Sequence, residues 1–360
     1  YEETAMRTSF GERMLDLIVS GFLWGIRILI VSVIVIGTIG TLRTGQYTSE
    51  QWIDFVVFGI AQGSIYALIA LGYTMVYGIL RMINFAHGDI FMTGAFGAYF
   101  IATWLTKIGF VDANPVLGLL IPILFAMGMA AAIAMLVERI AYRPLRGAPR
   151  LVPLISAIGA SFFLEYAFRG FFGPGKYAYP PIKALEGEWV IFGIGILKVQ
   201  IVVAVAAGIM MAILYSVVMF TKVGKAMRAV SENKDTAALM GIDVNRIIVS
   251  TFALGAAMAG AAGVLFSLVY RQIDFFMGFT PGIKAFTAAV LGGIGNIPGA
   301  MVGGLVLGVF ESVGPSLFLE GLGITRPYQL KDAIAYTMLV MILLFRPSGI
   351  LGERLTTKKA

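Results

Sequence analysis

Few residues of this chain can take part in bond-making chemistry. The 360 residues include no cysteine and a single histidine, His87. Thiol nucleophiles, disulfides and thiolate metal sites are therefore excluded, and one histidine provides neither a metal-binding cluster nor a Ser-His-Asp triad. We expect a protein that is not an enzyme, with no catalytic residue, no cofactor and no bound metal.

One stretch resembles a nucleotide-binding motif. Residues 170–177 nearly match the phosphate-binding loop, but Tyr177 stands where that loop needs Ser or Thr to reach magnesium. No strand is predicted ahead of it, as the motif requires. We therefore expect that this chain does not bind nucleotide.

Polar side chains inside apolar segments are the more informative candidates. Each is costly in lipid, and such residues usually face a cavity or a partner. The candidates for a solute pathway are Gln62, Ser64, Tyr66, Tyr73, Thr74, Asn84, Ser156, Glu165, Thr287 and Asn296. These residue types supply hydroxyl, amide and carboxylate groups, which suit a polar solute.

Two arrangements that include Glu165 or Asn84 of this set have structural alternatives. Glu165 and Arg169 are one helical turn apart and can form a salt bridge or belong to a site. His87 and Asp89 can form a proton relay, or the segment can be a helix start at which Asn84 and Asp89 cap the helix and complement its dipole. The sequence favours the cap.

The composition is that of a membrane protein. Hydrophobic residues make up 59% of the chain and charged residues 13%, and the mean hydropathy is +0.88. A helix needs about 20 apolar residues to cross the bilayer. The predicted spans are 15–40, 53–80, 88–106, 116–137, 151–172, 196–220, 247–269 and a shorter 333–345. The runs do not alternate in polarity as barrel strands do, so the predicted fold is an all-α, polytopic transmembrane bundle.

The region 282–318 is apolar but interrupted. Glycine and proline break any helix in its middle, at Gly292, Gly293, Gly295, Pro298 and Gly299. We predict two short or half-length helices here, which gives about eight to ten crossing segments in total. The break can lie at membrane depth, lining a cavity, or be a plain surface turn between two helices.

Basic residues orient the spans. They cluster between spans four and five and in the loop 221–246, so both stretches are assigned to the cytoplasm. The same topology places both termini, with Arg7 at one and the basic tail 353–360 at the other, in the cytoplasm. The net charge of +7 is thus explained by the membrane surface and not by nucleic acid. We divide the chain into an extension with one extra transmembrane helix (1–50), a transmembrane domain (51–352) and the tail.

Two further patterns allow more than one use. The loop 221–246 predicts short amphipathic helices, which can be a docking element or lie on the membrane. Small residues recur four apart, as at Gly59 and Gly63 and at Gly304 and Gly308. Such ridges serve packing within one subunit or against a second membrane subunit.

Several long strings resemble one family. The residues 63–78, continuing through 82–89, together with 138–144, 154–159 and 284–300, are similar to permeases of branched-chain amino acid ABC importers of the LivH type. The resemblance covers about 53–352. It implies a multi-pass subunit of a bacterial or archaeal inner membrane. It further implies a heterodimer with a second, related permease, two cytoplasmic ATP-binding subunits and an external solute-binding protein.

The resemblance also implies that the loop 221–246 couples to the ATPases. In this family a Glu-Ala-Ala-x-x-x-Gly pattern docks, and here the matching positions read Asp235, Thr236, Ala237 and Gly241, with a degenerate middle. The predicted coupling residues are Arg228, Glu232, Asp235, Thr236, Ala237 and Gly241.

A different class of protein, a self-sufficient channel or an ion-coupled transporter, is the alternative. It requires unpaired acids or a proton relay in the spans, and Glu165 is the one acid that we expect deep in the membrane. The solute stays open at this point: a branched-chain amino acid, urea, an amide or another small solute.

Overall fold

The computed structural model describes residues 10–149, 151–191 and 193–352, and these are mainly helical. Ten helices in this part have 14 or more residues: α1 (Phe10–Thr44), α2 (Ser49–Leu80), α3 (His87–Lys107), α5 (Pro115–Val137), α6 (Leu151–Phe172), α7 (Lys198–Phe220), α10 (Val244–Tyr270), α11 (Phe279–Gly292), α12 (Ile297–Gly314) and α13 (Lys331–Phe345). The predicted tail 353–360 and Arg7 lie outside the described residues.

Short elements lie between these helices. They are α4 (Phe110–Ala113), α8 (Lys222–Glu232), α9 (Lys234–Leu239), β1 (Tyr177–Ala178), β2 (Glu188–Ile191), β3 (Ile194–Leu197) and β4 (Gln272–Ile273). Strands β2 and β3 form an antiparallel hairpin, and β1 pairs with β4. Two π-helical turns, Glu138–Tyr142 and Pro315–Leu319, extend α5 and α12. Four 3-10 turns complete the helical structure: Arg143–Leu145, Lys183–Leu185, Glu320–Leu322 and Pro327–Leu330.

The all-α prediction is confirmed. Eight of the described helices, some with their adjoining turns, are long and apolar enough to cross a membrane. Helices α3 and α11 add two shorter or less apolar segments in the same bundle, within the predicted range of eight to ten. Because successive long helices alternate in direction, the bundle has two ends. We call them the α8 end, which carries α8 and α9, and the hairpin end, which carries β2 and β3.

The core is built around α2 and α10, the most enclosed of the spans. Helix α12 packs along α2 at backbone distance, because a Cβ added to Gly308 would overlap the backbone of Gly63, and one added to Gly304 would lie 2.5 Å from the Cα of Ala67. Van der Waals contact between small residues drives helix association in lipid. The glycine ridges of α2 and α12 therefore pack within this chain.

The break in 282–318 lies at the α8 end of the bundle. Gly293 and Gly295 have φ angles of +108° and +98°, which glycine adopts without strain. Asn296 caps α12 by accepting from the Gly299 amide at 3.0 Å, and the chain after α13 covers the break, with the Leu351 amide donating to the Gly292 carbonyl at 3.0 Å. This position favours a turn between two helices over a break midway along the bundle.

Helix α1 contacts the bundle mainly through one glycine-lined face. Gly37 lies against the backbone of Phe318, Gly40 lies against that of Gly321, and Thr41 donates a hydrogen bond to the Ser316 carbonyl at 3.0 Å. Most other large side chains on α1 are exposed, as lipid-facing residues are. The extension predicted for 1–50 thus contains a long helix that is docked at the hairpin end.

We expect Gly37→Leu to weaken the docking of α1. The added side chain must displace the Phe318 backbone, and overpacking of this kind costs about 1–3 kcal/mol. Gly21→Leu is the matched control in the same helix, because nothing lies within 4 Å of a Cβ there. Thermal unfolding of the detergent-solubilised protein should show a lower midpoint for Gly37→Leu alone, and equal midpoints would contradict the docking contact.

Candidate translocation site and coupling surface

A cluster of charged and polar side chains is buried between α2, α11 and α12. Lys284 of α11 pairs with Glu311 of α12 and also lies 2.6 Å from Asp332 in the first turn of α13. From α2, the Gln62 amide donates to the Tyr66 hydroxyl at 2.6 Å and to Glu311 at 3.2 Å. Two predicted pathway residues, Gln62 and Tyr66, are therefore brought together around an ion pair.

This ion pair is almost fully enclosed. The Lys284 side chain is 3% exposed and that of Glu311 1%, whereas Asp332 is 43% exposed at the hairpin end. The expectation that Glu165 is the one deep acid is therefore wrong, because Glu311 and Asp89 are buried as well. Charged residues in the interior of a membrane bundle pair with one another, and they mark functional positions by default.

Sequence reasoning missed Lys284 and Glu311. They are 27 positions apart on two different helices, so no spacing rule connects them. One signal could have found them: each is an isolated charge in an otherwise apolar, glycine-rich stretch.

A second polar cluster surrounds the start of α3. The Tyr142 hydroxyl donates to the Asn84 side chain at 2.6 Å, and the Tyr73 ring meets the edge of His87 at 4.9 Å between centroids. The cap prediction for Asn84 is wrong, because the N-cap residue of α3 is Ala86, which has no side-chain cap bond. The Asn84 side chain instead joins α3 to the turn after α5.

Asp89 and Glu165 lie on facing helices. Asp89 is in the first turn of α3 and accepts a hydrogen bond from Ser161 of α6, and Glu165 of α6 is buried close by. The predicted salt bridge between Glu165 and Arg169 is not formed. The Arg169 guanidinium lies over the ring of Phe275, 5.4 Å from its centroid. Two carboxyl groups therefore share one buried region.

The remaining predicted pathway residues make local contacts. Ser64 and Thr287 donate to carbonyls one turn back in their own helices, at 2.7 and 2.9 Å. Ser156 joins α6 to the Ala141 carbonyl at 2.8 Å. Thr74 is buried and lines a cavity of about 70 Å³ at the α8 end, near Arg228 and Gly295. The structure does not bring these residues, or Asn296, into the Lys284 cluster.

Helices α8 and α9 form an exposed, amphipathic projection. Thr221 caps α8 by accepting from the Gly224 amide at 3.1 Å, and Asn233 caps α9 by accepting from the Thr236 amide at 2.9 Å. Met227 and Val230 are buried against the bundle. The prediction of short amphipathic helices in this loop is confirmed, and both helices have a defined start.

The tip of this projection is apolar. Leu239 is 88% exposed and Met240 78%, and Gly241 ends the turn with a φ angle of +83°. We call Leu239, Met240 and Gly241 the α9 tip. Among the predicted coupling residues, Ala237 is buried beneath the tip, whereas Arg228, Glu232, Asp235 and Thr236 are exposed.

Arg228 fixes the base of the projection, and basic residues surround it. The Arg228 guanidinium donates to the Met219 carbonyl at 3.1 Å. Partial burial lowers the pKa of Lys234, and the charges of Arg146 and Arg81 lower it further. These positive groups are therefore close to one another at the α8 end.

In the described part of the chain, eight helices that can cross a membrane pack around buried polar clusters, which defines a multi-pass membrane protein. The sequence profile of the family "Branched-chain amino acid transport system / permease component" matches residues 55–343. The permease protein BraD of the high-affinity branched-chain amino acid transport system of Pseudomonas aeruginosa is 44% identical over 306 residues, which cover 84% of this chain and 96% of that protein.

Two further relatives agree with this match. LivH of Escherichia coli, a high-affinity branched-chain amino acid transport system permease protein, is 42% identical over 315 residues, covering 85% of this chain and 98% of that protein. The probable branched-chain amino acid transport permease protein LivM of Methanocaldococcus jannaschii is 30% identical over 146 residues, covering 37% of this chain and 41% of that protein.

The chain belongs to the family of branched-chain amino acid transport permeases, as the resemblance of its sequence strings indicated. It is a transport subunit and not an enzyme, and it is a multi-pass protein of the inner membrane. The matched region begins after α1, so α1 is outside the part that the family profile describes.

Proposed function

We propose that this chain is the membrane-spanning permease subunit of an ABC importer for branched-chain amino acids, powered by separate ATPase subunits. The family match over most of the transmembrane region carries this proposal. The relatives are named for branched-chain amino acid transport systems, and a transport system has components beyond the permease. The chain itself breaks no bond.

We propose that the α9 tip docks into an ATPase subunit. Exposed leucine and methionine at the end of a capped helix are costly in water and are the residues that fill a partner's pocket. Exposed Lys234 and Asp235 next to the tip give the rim charges of both signs, and a polar rim is typical of a protein interface. A helix lying on the membrane would instead turn its apolar residues toward lipid along its whole length.

This role requires the α8 end to face the cytoplasm. The basic residues Arg81, Arg146, Lys225, Arg228 and Arg246 all belong to this end, as the positive-inside rule demands of cytoplasmic connections. The hairpin end, with its exposed Trp189 and Val190 on β2, then faces outward, where a solute-binding protein delivers the amino acid. The described residues contain ten long helices, an even number, so both ends of this part of the chain then face the cytoplasm.

We propose a second, related permease as the other half of the pathway. The partial match to LivM shows that the two kinds of permease share sequence. Helices α5, α6 and α7 turn many large apolar side chains outward, so a partner helix or lipid can cover them. The glycines of α2 and α12 pack against each other within this chain. The outer faces of α5, α6 and α7 are therefore the surfaces that a partner permease can cover.

The alternative of an ion-coupled transporter has one structural observation in its favour. Asp89 and Glu165 lie near each other inside the bundle, and paired buried carboxyls suit proton transfer. Family membership outweighs this observation, because the matched relatives are permease components of transport systems.

Affinity purification from native membranes in mild detergent tests the proposal. The tagged chain should bring down a second permease and ATP-binding subunits, identified by mass spectrometry. A chain that is recovered alone, and that moves leucine into liposomes without ATP, would instead favour the alternative of a self-sufficient channel or an ion-coupled transporter.

A further inference from the structure

The buried cluster around Lys284 holds one cation and two acids, Glu311 and Asp332. The Oε1 oxygen of Glu311 accepts from both Lys284 and the Gln62 amide, and the Tyr66 hydroxyl lies close to the same carboxylate. Charge inside a membrane bundle is costly unless it is paired and hydrogen-bonded. Glu311 is therefore the shared acceptor of this cluster.

Lys284 has a second acid within reach. Asp332 lies 2.6 Å from its ammonium group and is partly exposed at the hairpin end. Because Lys284 touches both acids, it can shift toward Asp332, or toward another carboxylate, without becoming unpaired. The cluster is thus one cation shared by two carboxylates, of which Asp332 is the exposed one, at the hairpin end.

We propose that Lys284 and Glu311 form a subsite for the charged ends of a zwitterionic amino acid, an inference that rests on the proposed function. The ammonium group of the solute pairs with Glu311, and its carboxylate pairs with Lys284 and accepts from the Gln62 amide. In this structure Lys284 and Glu311 pair with each other. Exchanging one ion pair for two leaves the net charge of the cluster unchanged, so no additional net charge is buried.

The subsite recognises the ammonium and carboxylate groups, which all α-amino acids share. Urea and simple amides carry no separated charges, so they cannot give Glu311 a cation in place of Lys284. The cluster therefore selects amino acids as a class. The choice among amino-acid side chains then belongs to another component of the system.

A purely structural ion pair predicts a different response to mutation. Replacing both members of a buried pair by apolar residues of similar volume is often neutral or stabilising. The test is therefore Lys284→Met combined with Glu311→Leu, in the full complex, purified and reconstituted in liposomes. The readouts are uptake of labelled leucine, ATP hydrolysis stimulated by the binding protein, and thermal stability.

We expect the double variant to assemble and hydrolyse ATP while leucine uptake falls at least tenfold. Asp112→Asn with Lys183→Gln is the matched control, because this pair at 2.6 Å is largely exposed at the hairpin end. It should transport at the wild-type rate. Uptake by the Lys284→Met, Glu311→Leu variant equal to that of wild type would overturn the subsite.

A second variant tests the inference if the double variant does not fold. Glu311→Gln keeps the shape of the side chain and its acceptor for Gln62 but removes the charge. We expect it to raise the KM for leucine delivered by the binding protein and to lower uptake at least tenfold, and an unchanged KM and rate refute the inference. A wild-type complex without ATP-dependent leucine uptake would refute the proposed function itself, and the subsite with it.

Discussion

A variant that carries Leu239→Asp and Met240→Asp is expected to insert normally and to lose ATP-driven uptake. Both side chains are exposed at the α9 tip and make few contacts within the chain, so their replacement leaves the bundle intact. An anchoring side chain in an interface contributes about 2 kcal/mol, which is roughly 30-fold in affinity. Loss of both anchors, with two carboxylates to desolvate, should detach the ATPase subunit.

The control for this variant exchanges the same two residues. Leu239→Met with Met240→Leu keeps the volume and apolar character of the tip, and such exchanges cost little. Co-purification of the ATP-binding subunits and leucine uptake should both survive in the control and both fail in the aspartate variant. Retained co-purification in the aspartate variant would show that the α9 tip is not the docking element.

Gly308→Leu is expected to destabilise the transmembrane bundle. A side chain at this position overlaps the backbone of Gly63. Both α2 and α12 are central helices, so neither can move away without losing its contacts with other helices. Overpacking of a core costs about 1–3 kcal/mol and occasionally more, and two helix backbones in contact cannot repack as side chains do. We expect lower abundance in the membrane and a lower melting midpoint.

Gly128→Leu is the matched control for this variant. It lies in α5, another long helix, and nothing is within 4 Å of a Cβ at that position. The midpoint of thermal unfolding of the isolated subunit in detergent should be the same for this control as for the wild type. If Gly308→Leu were equally stable, the close approach of α2 and α12 would be wrong.

The spans could be predicted because their signal is local. Apolar length alone predicted 151–172, which is helix α6 (Leu151–Phe172), and 196–220, which begins two residues before α7 (Lys198–Phe220). The parity of the basic residues predicted two short or half-length helices in 282–318, and the structure has α11 and α12 there. Length and charge asymmetry are properties of the sequence itself, so no tertiary information was needed.

The site could be predicted only in part, because its contacts are long-range. Gln62 and Tyr66 were candidates as polar residues in a span, but their partner Glu311 is 249 positions after Gln62. Glu165 and Arg169 have the spacing of an ion pair, yet packing against aromatic rings takes Arg169 away. Local spacing gives the opportunity for a contact, and the fold decides which partner is used.

The α9 tip could also be predicted only in part. The sequence predicted amphipathic helices in 221–246, and the resemblance implied a docking role for residues around Asp235 and Gly241. That Leu239 and Met240 are the most exposed apolar residues of this segment follows from how α8 and α9 pack on α2, α7 and α10. A helical pattern alone does not say which apolar residues remain in water.

Leucine uptake by proteoliposomes that contain the complex purified with this chain tests the central claim most directly. ATP is enclosed inside, and the solute-binding protein loaded with labelled leucine is added outside. We predict accumulation that needs both ATP and the binding protein, and that stops when ATP is replaced by a non-hydrolysable analogue. Uptake of the same size without ATP, or driven by a proton gradient alone, would contradict the assignment of this chain to an ABC importer.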